Sequence, residues 1–174
     1  HVAARDVDVW LPPGYGEDPD KRYPVLYMHD GQNLFDPALG YTGVDWDLDG
    51  AMTRLIEAGE IREAIVVGIW NTPQRFAEYM PKAPVRTATV GSGIVGRPMG
   101  LARDIRSDDY LRFLVEELKP FVDAHYRTLP GRDDTAVMGS SMGGLISLYA
   151  AARHPQIFGG VGAVSTHFPA CGGC

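Results

Sequence analysis

The sequence predicts an α/β fold in which a mostly parallel sheet carries helices on both faces. Residues 1–174 read as one domain. Three observations predict it. Short unbroken apolar runs at residues 23–28 and 64–70 have the composition of strands buried on both faces. They alternate with segments whose apolar residues recur at helical spacing. Residues 135–145 (TAVMGSSMGGL) join an apolar strand to a helix through a glycine-bounded turn.

Taken in order, residues 2–11 alternate in polarity and run into Pro12-Pro13-Gly14-Tyr15-Gly16, as an edge strand entering a turn would. Residues 23–28 form the first buried strand. Residues 47–58 are helical, with Leu48, Met52, Leu55 and Ile56 on one side, and residues 64–70 (AIVVGIW) are the next strand. The longest helix spans residues 108–126 on the stripe Leu111, Leu114, Val115, Leu118, Phe121 and Val122, with a kink or a new turn expected at Pro120. The helix after the glycine turn places Leu145, Leu148, Tyr149 and Ala152 on one face, and residues 160–165 form a last strand. Sites in such sheets collect at the carboxyl ends of the strands. Three loops leave those ends: residues 29–43, residues 71–104 and the glycine turn.

Composition excludes several classes. The net charge of −6 disfavours nucleic acid and anionic membranes as partners. No apolar run approaches the ~20 residues of a membrane span. The reading favours a soluble protein, cytoplasmic over secreted; the start at His1 rather than Met is compatible with a removed leader or tag. Cys171 and Cys174 form a C-x-x-C pair without a second pair to complete a zinc site, and read as tail thiols. Residues 91–96 (GSGIVG) match G-x-G-x-x-G, but Pro98 and Gly100 follow where a dinucleotide site needs a helix, so no cofactor is expected there or elsewhere. A nucleotide-binding protein using that loop remains the weakest of three readings.

The glycine turn carries chemistry. In G-x-S-x-G a serine projects from a strained strand-to-helix turn, and side chains two residues on either side would strike neighbouring backbone. Gly139 and Gly143 place Ser141 at the apex. Ser140 is excluded because Met138 and Met142 occupy the flanking positions. Acyl transfer also needs two N–H donors for the oxyanion. Met142 N–H supplies one. Residues 28–36 (MHDGQNLFD) lie where the other should come from, with Gly31 permitting a sharp turn and Gln32 N–H as donor. The same stretch also reads as a polar turn in which Asp30 and Asn33 bond their own backbone.

These segments resemble the putative-esterase family of α/β-hydrolases, which includes enterochelin, feruloyl and acetyl-xylan esterases, S-formylglutathione hydrolase and the mycolyltransferases. The matching residues are 11–15 (LPPGY), 23–36, 75–81 (RFAEYMP), 113–120 (FLVEELKP), 126–130 (YRTLP), 139–145 (GSSMGGL) and 153–155 with Phe158. The resemblance implies a serine hydrolase of carboxylic esters with a small-molecule substrate and no cofactor. It makes Ser141 the nucleophile, with Gln32 and Met142 N–H as the oxyanion hole. Beside Asp30 in the oxyanion loop, Arg75, Glu78 and Tyr79 would line or brace the substrate pocket, or equally form a structural ion pair and stacking group.

The chain departs from the pattern in one respect. The family order is Ser, then Asp or Glu, then His, and no Asp or Glu follows Ser141. Of the later histidines, His154 ends the elbow helix, and His167 follows the last strand as a candidate base or a loop histidine. The family's acid and histidine are expected from strands beyond residue 174, so the fold is expected to be cut short after the strand that follows the elbow helix. The exposed edge would then be covered by another subunit, as in a homo-oligomer, or by further chain. A catalytically impaired binding or scaffold module is the rival reading. Lys82, Arg86, Arg97 and Arg103 in the long loop suit an anionic substrate or a solvated loop equally.

Overall fold

The structure is a computed structural model, and it describes residues 2–82 and 105–168. The glycine run at residues 91–96, the basic residues Arg86, Arg97 and Arg103, and the cysteines Cys171 and Cys174 lie outside the described residues.

Five strands form one sheet: β1 (Val7–Trp10), β2 (Val25–His29), β3 (Ile65–Ile69), β4 (Thr135–Ser140) and β5 (Gly160–Val164), in the order β1-β3-β2-β4-β5. β1 is antiparallel to β3, and the other pairings are parallel. β2 and β3 are apolar almost throughout because helices cover both of their faces. On one face α1 (Leu48–Glu57) packs Met52 against Met28, Leu34 and Val66. The opposite face buries Tyr27, Val67 and Val137 under Leu114 of the long helix and Ile146 of α5 (Met142–Arg153). The alternating residues of one strand thus feed two cores.

The chain leaves β2 towards β3 on one side and returns to β4 on the other. The order therefore reverses between β2 and β4, and sheets of this kind place their sites at the carboxyl ends of the strands at such a reversal. The register aligns those ends: Met28 pairs with both Gly68 and Met138, and His29 with Ile69. β5 is the far edge, and no strand pairs with its outer side among the described residues. Val161 and Val164 are exposed there.

A new turn of the long helix begins at Pro120, one of the two outcomes expected there. Helix runs unbroken from α3 (Ser107–Arg112) through residues Phe113–Leu118 into α4 (Lys119–His125), and the middle six residues are π-helical. Pro120 supplies no N–H, so the i→i−4 ladder fails there. The chain widens upstream: Lys119 N–H bonds Leu114 O, five residues back.

Candidate active site

Two turns meet at the carboxyl ends of β2 and β4, each with a non-glycine residue at positive φ. The first follows β2. Asp30 is left-handed (φ 61, ψ 44), and Gly31–Asn33 form a single 3-10 turn. The sequence assigned the sharp turn to Gly31; the structure gives it to Asp30, a residue type that tolerates this region. Gly31 is required for close approach. A Cβ there would sit 2.5 Å from the carbonyl carbon of Gly68 on β3.

The second turn follows β4. Ser141 has φ 56 and ψ −117, and its hydroxyl makes no capping bond to α5. Its backbone is pinned on both sides: Ser141 N–H donates to Val164 O (2.9 Å), and His167 N–H donates to Ser141 O (3.2 Å). A Cβ on Gly139 would lie 2.5 Å from the Gly143 carbonyl carbon and 2.8 Å from its Cα. The two glycines are unequal, however. A Cβ on Gly143 would meet only the Asp30 carboxylate at 3.2 Å and His29 Cβ at 3.4 Å. Gly139 is needed for its missing side chain, and Gly143 chiefly for the backbone that approaches it.

Those contacts also show that the two turns touch, since Gly143 packs directly on the end of β2. Gln32 N–H lies in the first turn, and Met142 N–H is at the first position of the twelve-residue α5, where backbone donors lack helical acceptors. This arrangement can polarise a carbonyl group placed between the turns, with the positive end of the helix dipole behind one donor.

Beneath the turns lies a polar and aromatic layer that residue patterns alone do not reveal. Arg75, which opens α2 (Arg75–Tyr79), grips Asp30 with two bonds, Nε to Oδ1 (2.6 Å) and an Nη to Oδ2 (2.7 Å), and Asn71 Nδ2 adds a third at 2.6 Å. Glu78 is fully buried and paired with Arg5 at 2.5 Å, with Thr72 Oγ1 donating to its other oxygen. Tyr79 is fully buried beneath the Arg75 guanidinium. As drawn from sequence, Asp30, Arg75, Glu78 and Tyr79 were pocket candidates. Glu78 and Tyr79 have no surface to offer a ligand and act as braces; Asp30 is nearly as buried, and Arg75 is partly exposed. No local pattern marks Arg5, which lies 73 residues away from its partner in the chain.

His29 belongs to this layer. It is fully buried against Tyr79 and Tyr110, and its Nδ1 pairs with the Tyr110 hydroxyl at 2.7 Å. Burial lowers its pKa from 6.5 to about 4, so the ring is neutral near pH 7. His167, by contrast, has an exposed side chain, although its backbone bonds to Ser141. A cleft of about 240 Å³ opens beside the first turn, lined by Asp8, Trp10, Gln32, Phe35, Asp36 and Leu39; Ser141 is not among its walls.

A mostly parallel sheet with a serine at a strand–turn–helix junction and a donor-bearing loop on the neighbouring strand defines an α/β-hydrolase. The family model described as Putative esterase matches residues 3–171, and the chain belongs to that family. Among curated proteins it is 28% identical to an endo-1,4-beta-xylanase/feruloyl esterase of Xylanibacter ruminicola, over 93% of this chain and 20% of that protein. Among solved structures, an IroE-like serine hydrolase from Shewanella oneidensis is 26% identical with a TM-score of 0.69, covering 94% of this chain and 46% of that one. A CE1 ferulic acid esterase from Anaeromyces mucronatus is 29% identical with a TM-score of 0.61, covering 93% and 53%. The chain thus spans about half the length of these structures, and a fifth of the xylanase/esterase. Among the described residues no helix is long and apolar enough to cross a membrane.

Proposed function

We propose that this protein is a serine hydrolase of small-molecule carboxylic esters, working through an acyl-enzyme on Ser141. The observation that carries the reading is the Ser141 backbone, held at φ 56 and ψ −117 with a hydroxyl free of any capping bond. Strain of this kind is retained where function requires it. Ester cleavage is also what the names of the xylanase/feruloyl esterase and ferulic acid esterase relatives describe.

In this mechanism Ser141 Oγ attacks the ester carbonyl carbon and gives up its proton to a base. The carbonyl π electrons move onto oxygen, and Gln32 and Met142 N–H donate to that oxyanion. Collapse expels the alcohol, which takes up the proton. Water then attacks the acyl carbon and releases the acid, and Ser141 regains its proton. Among the described histidines, His167 is the candidate base. Its backbone is tied to Ser141, and its exposed ring would have to swing towards Oγ.

Labelling with a fluorophosphonate, followed by peptide mass mapping, tests the assignment. The expected result is one adduct on Ser141, absent in Ser141→Ala. An unlabelled Ser141 together with no turnover of p-nitrophenyl acetate would refute it. His167→Ala should slow labelling if His167 is the base and leave it unchanged otherwise.

A further inference from the structure

The most densely bonded group at the strand ends is the Asp30 carboxylate. Arg75 binds both of its oxygens and Asn71 Nδ2 binds one. Asn71 N–H then donates to Gln32 Oε1 at 3.2 Å, so the group that fixes Asp30 also fixes the side chain of Gln32. On the opposite side, the space a Gly143 Cβ would fill is bounded by Asp30 Oδ2 at 3.2 Å. One buried carboxylate therefore lies two residues before one oxyanion donor and against the residue that follows the other.

We infer that Asp30, Arg75 and Asn71 are positioning residues that set both oxyanion donors, and that Arg75 also cancels a buried negative charge that would oppose the oxyanion. This rests on the reading of Ser141 as nucleophile. The geometric half follows from the bonds. Asp30 sits in the left-handed region, and its orientation directs the next two peptide units. The electrostatic half follows from Coulomb's law in a partly desolvated site. An unpaired carboxylate close to the carbonyl would raise the energy of the negative charge that forms there. A bidentate guanidinium removes that penalty and holds the carboxylate in one orientation. A purely structural ion pair would affect stability and the fraction of folded protein, but not the rate per intact site.

The test measures kcat and KM for p-nitrophenyl acetate in the full chain, per site titrated with fluorophosphonate, for Asp30→Asn, Arg75→Gln and the double variant. Asparagine keeps the left-handed backbone and the shape of Asp30. Scaled to the loss of one oxyanion donor, Arg75→Gln should lose ~10²-fold or more in kcat and Asp30→Asn ~10-fold. The double variant should recover towards Asp30→Asn, because the stranded charge is gone, with KM nearly constant throughout. Arg75→Gln with wild-type kcat per titrated site, or a double variant no faster than Arg75→Gln, would overturn the inference.

If the wild-type protein shows no reactive Ser141, the esterase reading fails and the positioning claim is decided separately. In ¹H–¹⁵N spectra of Asp30→Asn, the Gln32 and Met142 amides should shift or broaden while those of β3 stay in place. Unchanged Gln32 and Met142 amides would overturn it.

Discussion

The turns at Asp30 and Ser141 have nearly the same φ, 61 and 56, yet are held in opposite ways. At Asp30 the side chain holds the turn: three bonds converge on its carboxylate from Arg75 and Asn71. At Ser141 the surroundings hold it. Gly139 and Gly143 pack backbone to backbone, Val164 of β5 and His167 beyond it bond the Ser141 backbone on either side, and the hydroxyl caps nothing. A turn that only supports can spend its side chain on its own stability. A turn that must react has to be stabilised by its neighbours, so that its oxygen stays available.

The steepest way to break this contrast is at Gly139. A methyl group 2.5 Å from the Gly143 backbone cannot be absorbed, so Gly139→Ala should destabilise by about 3 kcal/mol or more, whereas Gly143→Ala should cost about 1 kcal/mol. Urea denaturation midpoints of the two variants check the asymmetry.

Asp30→Ala comes next. It removes a residue suited to positive φ and strands Arg75, whose partial exposure softens the penalty, and a loss of about 2–3 kcal/mol is expected. Asp30→Asn should lose less, because Asn tolerates the same backbone.

A pH-dependent effect of similar size concerns the layer beneath Asp30. His29 has a folded-state pKa of about 4 against 6.5, so between these values the unfolded chain binds more protons than the folded one. Its contribution is complete above pH 6.5 and is lost as pH falls towards 4, by up to about 1.4 kcal/mol per pH unit. Stability measured against pH should show this limb in the wild type, and His29→Gln should flatten it.

The smallest effect has the opposite sign. Ser141→Gly relieves the backbone strain and should stabilise by about 1 kcal/mol while abolishing the reactive hydroxyl, visible as a higher Tm. The same change at Asp30 should destabilise, because the bonds it removes outweigh the strain.

These contrasts also show what could be read in advance. The strands and the elbow were legible because apolar runs and the Gly-x-Ser-x-Gly spacing are local signals. That Gln32 and Met142 sit in the turns after β2 and β4 followed from their position relative to the strand ends. The bracing layer was not legible. Arg5 and Glu78 are brought together by β1 pairing with β3, and Asp30 and Arg75 by the register of β2 and β3, neither of which leaves a local pattern. The role given to Gly31 failed for a related reason, since the need for glycine there comes from Gly68 on another strand. Pro120 was read as a kink or a new turn, and a new turn does begin there; the π-helical stretch before it was not legible, because a widened helix depends on the packing that surrounds it.

The central claim is that the strained turn presents Ser141 for acyl transfer. Rapid acid quench of the full chain mixed with a p-nitrophenyl ester, followed by peptide mass mapping, tests it most directly. A transient acyl adduct is expected on the peptide containing Ser141, appearing with p-nitrophenol release and absent in Ser141→Ala. Release of p-nitrophenol that persists in Ser141→Ala, or an acyl group on any other residue, would contradict it.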